Sequence, residues 1–115
     1  LELPMLGEKK PDVQDEIKDL IANHEVFLFM KGTKSFPQCG FSGKVVEILR
    51  ELNVDFKHVN VLEDEELKEG VKQYTHWPNV PQLYVRGSFI GGSDLVSKLH
   101  EQGELEKVFN NSQNI

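Results

Sequence analysis

Val26-Phe27-Leu28-Phe29-Met30-Lys31-Gly32 is the stretch from which the fold is read. Its first five residues are apolar without alternation, short and rich in aromatics, as in a strand covered on both faces. Lys31-Gly32 ends it. A strand covered twice needs helices above and below, and the flanking sequence supplies them. Upstream, Val13, Ile17, Leu20 and Ile21 recur at helical spacing after Pro11, which suits a first helical turn, and predict an amphipathic helix to about Asn23. Downstream, after a loop through Pro37, Val45, Val46, Leu49 and Leu52 return to the helical period, and Asn53 offers a stop. Phe56 to Val61 reads as a second strand. Leu67, Val71 and Tyr74 mark a charged helix that begins in the acidic segment Glu63 to Glu66, where negative charge suits a helix N-terminus, and that closes at Trp77-Pro78. Gln82 to Val85 and Ser88 to Ile90 flank Arg86-Gly87 as a hairpin. After Gly91-Gly92, Ser93-Asp94 offer capping residues for a helix holding Leu95, Val96 and Leu99, and Gly103 separates it from a last helix around Leu105, Val108 and Phe109. Strands joined through a helix are most simply parallel and a hairpin is antiparallel, so the order predicts a mixed sheet with helices on both faces.

Composition narrows what such a domain can do. A length of 115 residues predicts one core, large enough to form without disulfides or structural zinc. The one cysteine, Cys39, forbids an internal disulfide and a Cys-rich metal site within one chain. Thirteen basic against nineteen acidic residues leave a net charge of −6, which argues against nucleic acid as a partner. No apolar run approaches the roughly twenty residues that span a bilayer, so no membrane partner is expected. Residues 1–10 and 111–115 lack a period and read as a flexible N-terminal arm and C-terminal tail around a domain of residues 11–110. The chain opens on Leu1, so the lack of a targeting peptide says nothing about compartment.

Cys39 falls between the buried strand and a helix start, in Lys31-Gly32-Thr33-Lys34-Ser35-Phe36-Pro37-Gln38-Cys39-Gly40-Phe41-Ser42. Backbone N–H groups at a helix N-terminus stabilise a thiolate, and an ammonium brought close by the loop, Lys31, adds to this. An inert buried cysteine is the bland alternative. Here the sequence resembles the monothiol glutaredoxins with a Cys-Gly-Phe-Ser site. Four segments carry the likeness in order: Met30-Lys31-Gly32, Pro37 to Ser42, Trp77-Pro78 with Val80-Pro81-Gln82, and Gly91-Gly92-Ser93-Asp94. It covers about residues 11 to 109 and implies a thioredoxin-like α/β fold with a central four-stranded mixed sheet.

The resemblance also implies a glutathione site. Lys31 and Lys68 are the expected partners of the glycine-end carboxylate. Val80 is expected to pair through its backbone with the cysteinyl part, beside Pro81 in the cis form. Gly92, Ser93 and Asp94 form a helix start that receives the glutamyl carboxylate on backbone N–H groups, with the Asp94 carboxylate meeting the ammonium. Three positions depart from the common pattern. Ser93 stands where many members have cysteine, Asn79 where many have threonine, and Lys68 where many have arginine, which loses the bidentate fork.

Two functions follow from one thiol. A [2Fe-2S] cluster needs four ligands, commonly thiolates, and two chains with two glutathione molecules supply four. The resemblance therefore implies a cluster-bridged homodimer, with Cys39 as the metal ligand, that transfers its cluster to apo iron-sulfur acceptor proteins. The alternative is a glutathione-dependent thiol-disulfide oxidoreductase in which Cys39 is the catalytic nucleophile. An iron-sensing module acting through a partner is a third reading. The mitochondrial matrix is the preferred compartment, with plastid or cytosol as alternatives.

The other candidates read as structural. His24, His58, His76 and His100 lack metal-ligand spacing, and Glu63-Asp64-Glu65-Glu66 lacks the alternation and glycine of a calcium loop. Trp77 is expected to pack and fix the loop before Pro81. Phe36 and Phe41, flanking the cysteine, are either core or a partly exposed pair suited to a partner or a cluster lid.

Overall fold

The computed structural model describes residues 12–110; the expected arm, the tail and the placing of Pro11 in a first helical turn lie outside these residues. In chain order the elements are α1 (Val13–Ala22), β1 (Val26–Met30), α2 (Gly40–Glu51), β2 (Lys57–Asn60), a 3-10 turn (Val61–Glu63), α3 (Glu65–Thr75), β3 (Gln82–Val85), β4 (Ser88–Gly91), α4 (Ser93–Glu101) and α5 (Glu104–Asn110). The sheet runs β2-β1-β3-β4, parallel between β1 and β2 and antiparallel at the other two pairings. This is the thioredoxin-like arrangement. Among the described residues no helix is long and apolar enough to cross a membrane.

The unbroken apolar run of β1 follows from its place inside the sheet. All five residues are buried, and successive side chains leave opposite faces. Val26, Leu28 and Met30 join Leu83 and Val85 against Val45, Ile48 and Leu49 of α2 and Val96 of α4. Phe27 and Phe29 join Tyr84 against Ile17 and Ile21 of α1 and Leu67 and Val71 of α3. Each face thus buries its own helical layer.

Local chemistry sets the ends of the elements. The Asp12 carboxylate caps α1 by accepting the Gln14 N–H at 3.0 Å, and Asp64 caps α3 by accepting the Leu67 N–H at 3.0 Å. The acidic segment is therefore a capped, exposed helix start, as expected, preceded by a 3-10 turn that the periodicity did not register. His76, in the left-handed region at φ 60°, ends α3 ahead of Trp77-Pro78. At α4 the expectation is corrected. Gly92, not Ser93 or Asp94, is the capping residue, and no side chain closes the cap.

The register gathers three chain reversals at one end of the sheet. Antiparallel pairing sets Phe29 opposite Gln82, so Lys31, just past β1, and Val80, just before β3, lie at the same end of the sheet. Leu83 pairs with Gly91, so Gly92 and the start of α4 arrive at that end too.

Candidate thiol and ligand site

The loop from Lys31 to Gln38 is folded tightly by its own backbone. The Gln38 N–H donates to the Lys31 carbonyl at 2.9 Å, and Thr33 and Phe36 exchange backbone hydrogen bonds at 3.1 Å. Gly32 has φ 94°, and a Cβ there would lie 2.4 Å from the Gln38 nitrogen and 2.5 Å from the Phe36 oxygen. Only glycine fits such a backbone approach in the left-handed region. The Gly32 N–H donates to Asn60 Oδ1 at 2.8 Å, and the same oxygen accepts the Leu62 N–H at 3.0 Å, tying the loop to the end of β2.

This fold of the loop delivers Cys39 to the N-cap of α2, half-buried. Burial opposes ionisation of its thiol. That effect is outweighed by the backbone N–H groups of Ser42 and Phe41, the Lys31 ammonium and the Ser42 hydroxyl, so the thiol lies below its ordinary pKa. Lys31, eight positions away in sequence, is the ammonium that the loop brings close, as expected. The sequence marks Ser42 only as part of the motif. Its hydroxyl is fully buried, accepts the Lys31 N–H at 3.0 Å, and supports the thiolate. One side chain thus couples the position of Lys31 to the charge on Cys39.

Ser42→Ala removes a hydrogen bond to the thiolate and leaves the Lys31 N–H without its acceptor. The thiol pKa is expected to rise, moving the pH profile of Cys39 alkylation to higher pH, with a loss of about 1–3 kcal/mol in urea unfolding. An unchanged alkylation profile would show that the hydroxyl does not support the thiolate.

Beside the thiol lies an open cavity of about 450 Å³, within the usual range for small-molecule sites. Cys39, Lys31, Val80, Pro81, Gly92, Ser93 and Asp94 line it, together with Phe41, Trp77, Asn79 and Leu95. All the residues expected at the site are thus brought together except Lys68, which is half-buried on α3 and does not line the cavity. The Val80-Pro81 peptide is cis. No side chain caps α4, whose first residues line the cavity, so its first N–H groups are left as donors at that helix end, where the dipole favours an anion. Gly92 allows this closeness, since a Cβ would lie 3.2 Å from the Pro81 oxygen and 3.3 Å from Trp77 Nε1.

The apolar rim differs from its sequence reading. Leu95, one of the apolar positions that mark α4, is 46% exposed at the cavity. Phe36 and Phe41 are 73% and 62% exposed, which rules out the core alternative. Trp77 is 42% exposed and leans on Phe89 with ring centroids 6.0 Å apart, so it packs and lines the cavity at once. The histidines serve local packing and capping. His24 rests on Phe27, His58 on Phe56, His76 ends α3, and His100 meets Glu51 at 3.0 Å. Among the described residues no group of three or more His, Cys, Asp or Glu side chains could hold a metal ion.

One ionisable thiol, held at a helix start beside a cis-proline loop on a thioredoxin-like sheet, defines the class: a single-cysteine thiol protein of that fold. The Glutaredoxin family model matches residues 26–90, and the chain belongs to that family, among its monothiol members. It is 46% identical over 98 residues to the uncharacterized monothiol glutaredoxin ycf64-like of Synechocystis, covering 85% of this chain and 92% of that one. It is 48% identical over 97 residues to chloroplastic monothiol glutaredoxin-S14 of Arabidopsis thaliana, covering 84% of this chain and 56% of that one. With mitochondrial monothiol glutaredoxin-S15 of the same plant it shares 46% over 101 residues, covering 84% of this chain and 60% of the other. The matched stretch thus spans little more than half of each plant relative. The solution structure of reduced poplar apo GrxS14 superposes with a TM-score of 0.79 at 44% identity, covering 92% of this chain and 97% of that one.

Proposed function

We propose that this chain binds glutathione in the cavity beside Cys39 and, as a homodimer, carries a [2Fe-2S] cluster to apo iron-sulfur proteins. The observation that carries the reading is the pairing of a thiolate-stabilised, half-buried Cys39 with a cavity bearing opposite charges. Glutathione has carboxylates at both ends, an ammonium and a peptide backbone, and the residues present suit each part. The Lys31 ammonium suits the glycine-end carboxylate, with Lys68, outside the lining, as a second cation. The backbone of Val80 suits the cysteinyl part. The uncapped start of α4 suits the glutamyl carboxylate, and Asp94 the ammonium.

The cluster is cargo rather than a resident cofactor, and the donor set bears on how it is carried. A [2Fe-2S] cluster takes four ligands, and one chain contributes the single thiolate of Cys39. A second chain and two glutathione thiolates complete the set, so the cluster is not held without glutathione. The exposed Phe41 and Phe36 beside the thiol suit a partner surface. An organelle is the proposed compartment, the mitochondrial matrix ahead of the plastid; relatives carry both names.

The lowered thiol pKa favours a second reading, glutathione-dependent thiol-disulfide exchange. In it the Cys39 thiolate attacks the glutathione sulfur of a mixed disulfide and the other sulfur leaves as thiolate; a second glutathione thiolate then attacks the glutathione sulfur bound to Cys39, forming glutathione disulfide and releasing Cys39 as thiolate.

Anaerobic reconstitution of the chain with iron, sulfide and glutathione separates the two. The carrier reading expects a coloured dimer that becomes a colourless monomer with Cys39→Ser or without glutathione. A colourless monomer that rapidly reduces glutathione mixed disulfides would make exchange the main activity.

A further inference from the structure

Gln82 stands out because it is polar, fully buried and in the first position of a central strand. Buried amides are costly unless every donor and acceptor is met. Here all are met, and both acceptors of the amide N–H groups lie on the loop that forms the cavity wall. The amide nitrogen donates to the Trp77 carbonyl and to the Asn79 carbonyl, both at 3.2 Å. The amide oxygen accepts the Tyr84 hydroxyl at 3.0 Å and lies 3.2 Å from the Thr75 hydroxyl. Two carbonyls can only accept, which sets the amide orientation without ambiguity. Burial and the neighbouring Tyr74 push the Tyr84 phenol up, so it stays a donor over the physiological range. The Thr75 hydroxyl in turn accepts the Trp77 N–H at 3.1 Å.

The segment from His76 to Asn79 is exposed and belongs to no helix or strand, yet its Trp77 and Asn79, with the buried Val80 that follows, line the cavity. Its two carbonyl anchors converge on one side chain rooted in the sheet, where Gln82 pairs with Phe29. We propose that Gln82 is a positioning residue for the ligand site, a clasp that holds the Trp77–Asn79 backbone so that Val80 and the Trp77 ring keep their places in the cavity wall. Gln82 itself does not line the cavity; it acts through the loop. The inference rests on the glutathione reading for its ligand, while the clasp is testable without it.

The test compares the parent with Gln82→Met, of similar size but without hydrogen-bonding groups. Three rates and spectra are read. The first is attack of the Cys39 thiolate on glutathione disulfide, which forms the Cys39–glutathione disulfide and releases one glutathione thiolate. The second is alkylation by iodoacetamide, which needs the thiolate but no pocket. The third is emission and acrylamide quenching of Trp77, the sole tryptophan. A displaced wall is expected to lower the glutathione-disulfide rate, relative to alkylation, by about tenfold and to red-shift and expose Trp77. The pH profile of alkylation is expected to stay in place, because Lys31 and Ser42 are anchored by β1 and α2. Tyr84→Phe, which removes a donor to Gln82 but no link to the loop, is expected to change the rate ratio less than twofold.

Unchanged Trp77 spectra and rate ratio in Gln82→Met overturn the clasp. So does a shift of the alkylation profile along with the ratio, which marks general loosening instead. If the parent shows no preference for glutathione disulfide over hydroxyethyl disulfide, the glutathione reading fails, and the Trp77 spectra still decide the clasp. If Gln82→Met does not fold, Thr75→Val, which removes the acceptor of the Trp77 N–H, is read against the same two outcomes.

Discussion

Gly32→Val is expected to unfold in urea with a stability loss of about 3 kcal/mol or more, the largest effect of any single substitution in the loop. Two costs combine. A β-branched residue is strained at φ 94°, and its Cβ would overlap the Gln38 nitrogen at 2.4 Å, the Phe36 oxygen at 2.5 Å and the Pro37 carbonyl carbon at 2.9 Å. All three are backbone atoms, so no side chain can swing aside. The loop has to open, which removes the Gly32 N–H from Asn60 and the Gln38 N–H from the Lys31 carbonyl. Cys39 follows Gln38 directly, so the opening also displaces the thiol from its helix start, and alkylation near neutral pH is expected to slow. A urea midpoint equal to the parent's would show that the loop accommodates a side chain there.

Lys31→Glu is expected to have the largest effect on the chemistry. It replaces a cation that favours the Cys39 thiolate by an anion that opposes it. The thiol is then expected to titrate higher, so alkylation near neutral pH slows several-fold. Lys31→Met, which removes attraction without adding repulsion, should fall between parent and Lys31→Glu. Added salt should narrow the series, because charges this exposed are screened. Equal pH profiles for all three would remove Lys31 from the account of the thiol.

The sign of the linked stability effect follows from the same shift. The folded thiol lies below its unfolded value, so the folded chain binds that proton more weakly. The resulting stabilisation is complete above the unfolded thiol value of about 8.5 and is lost as pH falls through the lower, folded value. In Lys31→Glu that window narrows.

How much of this was legible in the sequence depends on the range of the interaction. The continuous apolar run Val26 to Met30 could be read as a doubly covered strand because each face of β1 does bury its own helical layer. The acidic start of α3 is local and legible as a helix start, though the Asp64 cap itself is seen only in the structure; at α4, Ser93-Asp94 read as the cap because their residue types suit capping, but the backbone makes Gly92 the capping residue. Leu95 fits the apolar period of α4 and so reads as core. The neighbouring reversal at Trp77 to Pro81 opens a cavity there instead, and a one-dimensional period carries no information about that.

The motif residues alone mark Cys39, Lys31, Val80, Pro81 and the start of α4 as members of one site. What places them together is the register of the sheet, which sets Phe29 opposite Gln82, so that Lys31 and Val80 leave the sheet at one end, and pairs Leu83 with Gly91, which brings Gly92 to the same end. Ser42, Asn60 and Gln82 escape a sequence reading for a shared reason. Each acts through hydrogen bonds to backbone groups far away or in an irregular loop, and such partners have no residue type to recognise. From the sequence alone come the fold class, the single thiol and the charges suited to a ligand. The tertiary structure decides which of those charges reaches the thiol, which apolar side chains stay exposed around it, and which buried polar groups hold the walls, because these depend on distances across the sheet rather than on spacing along the chain.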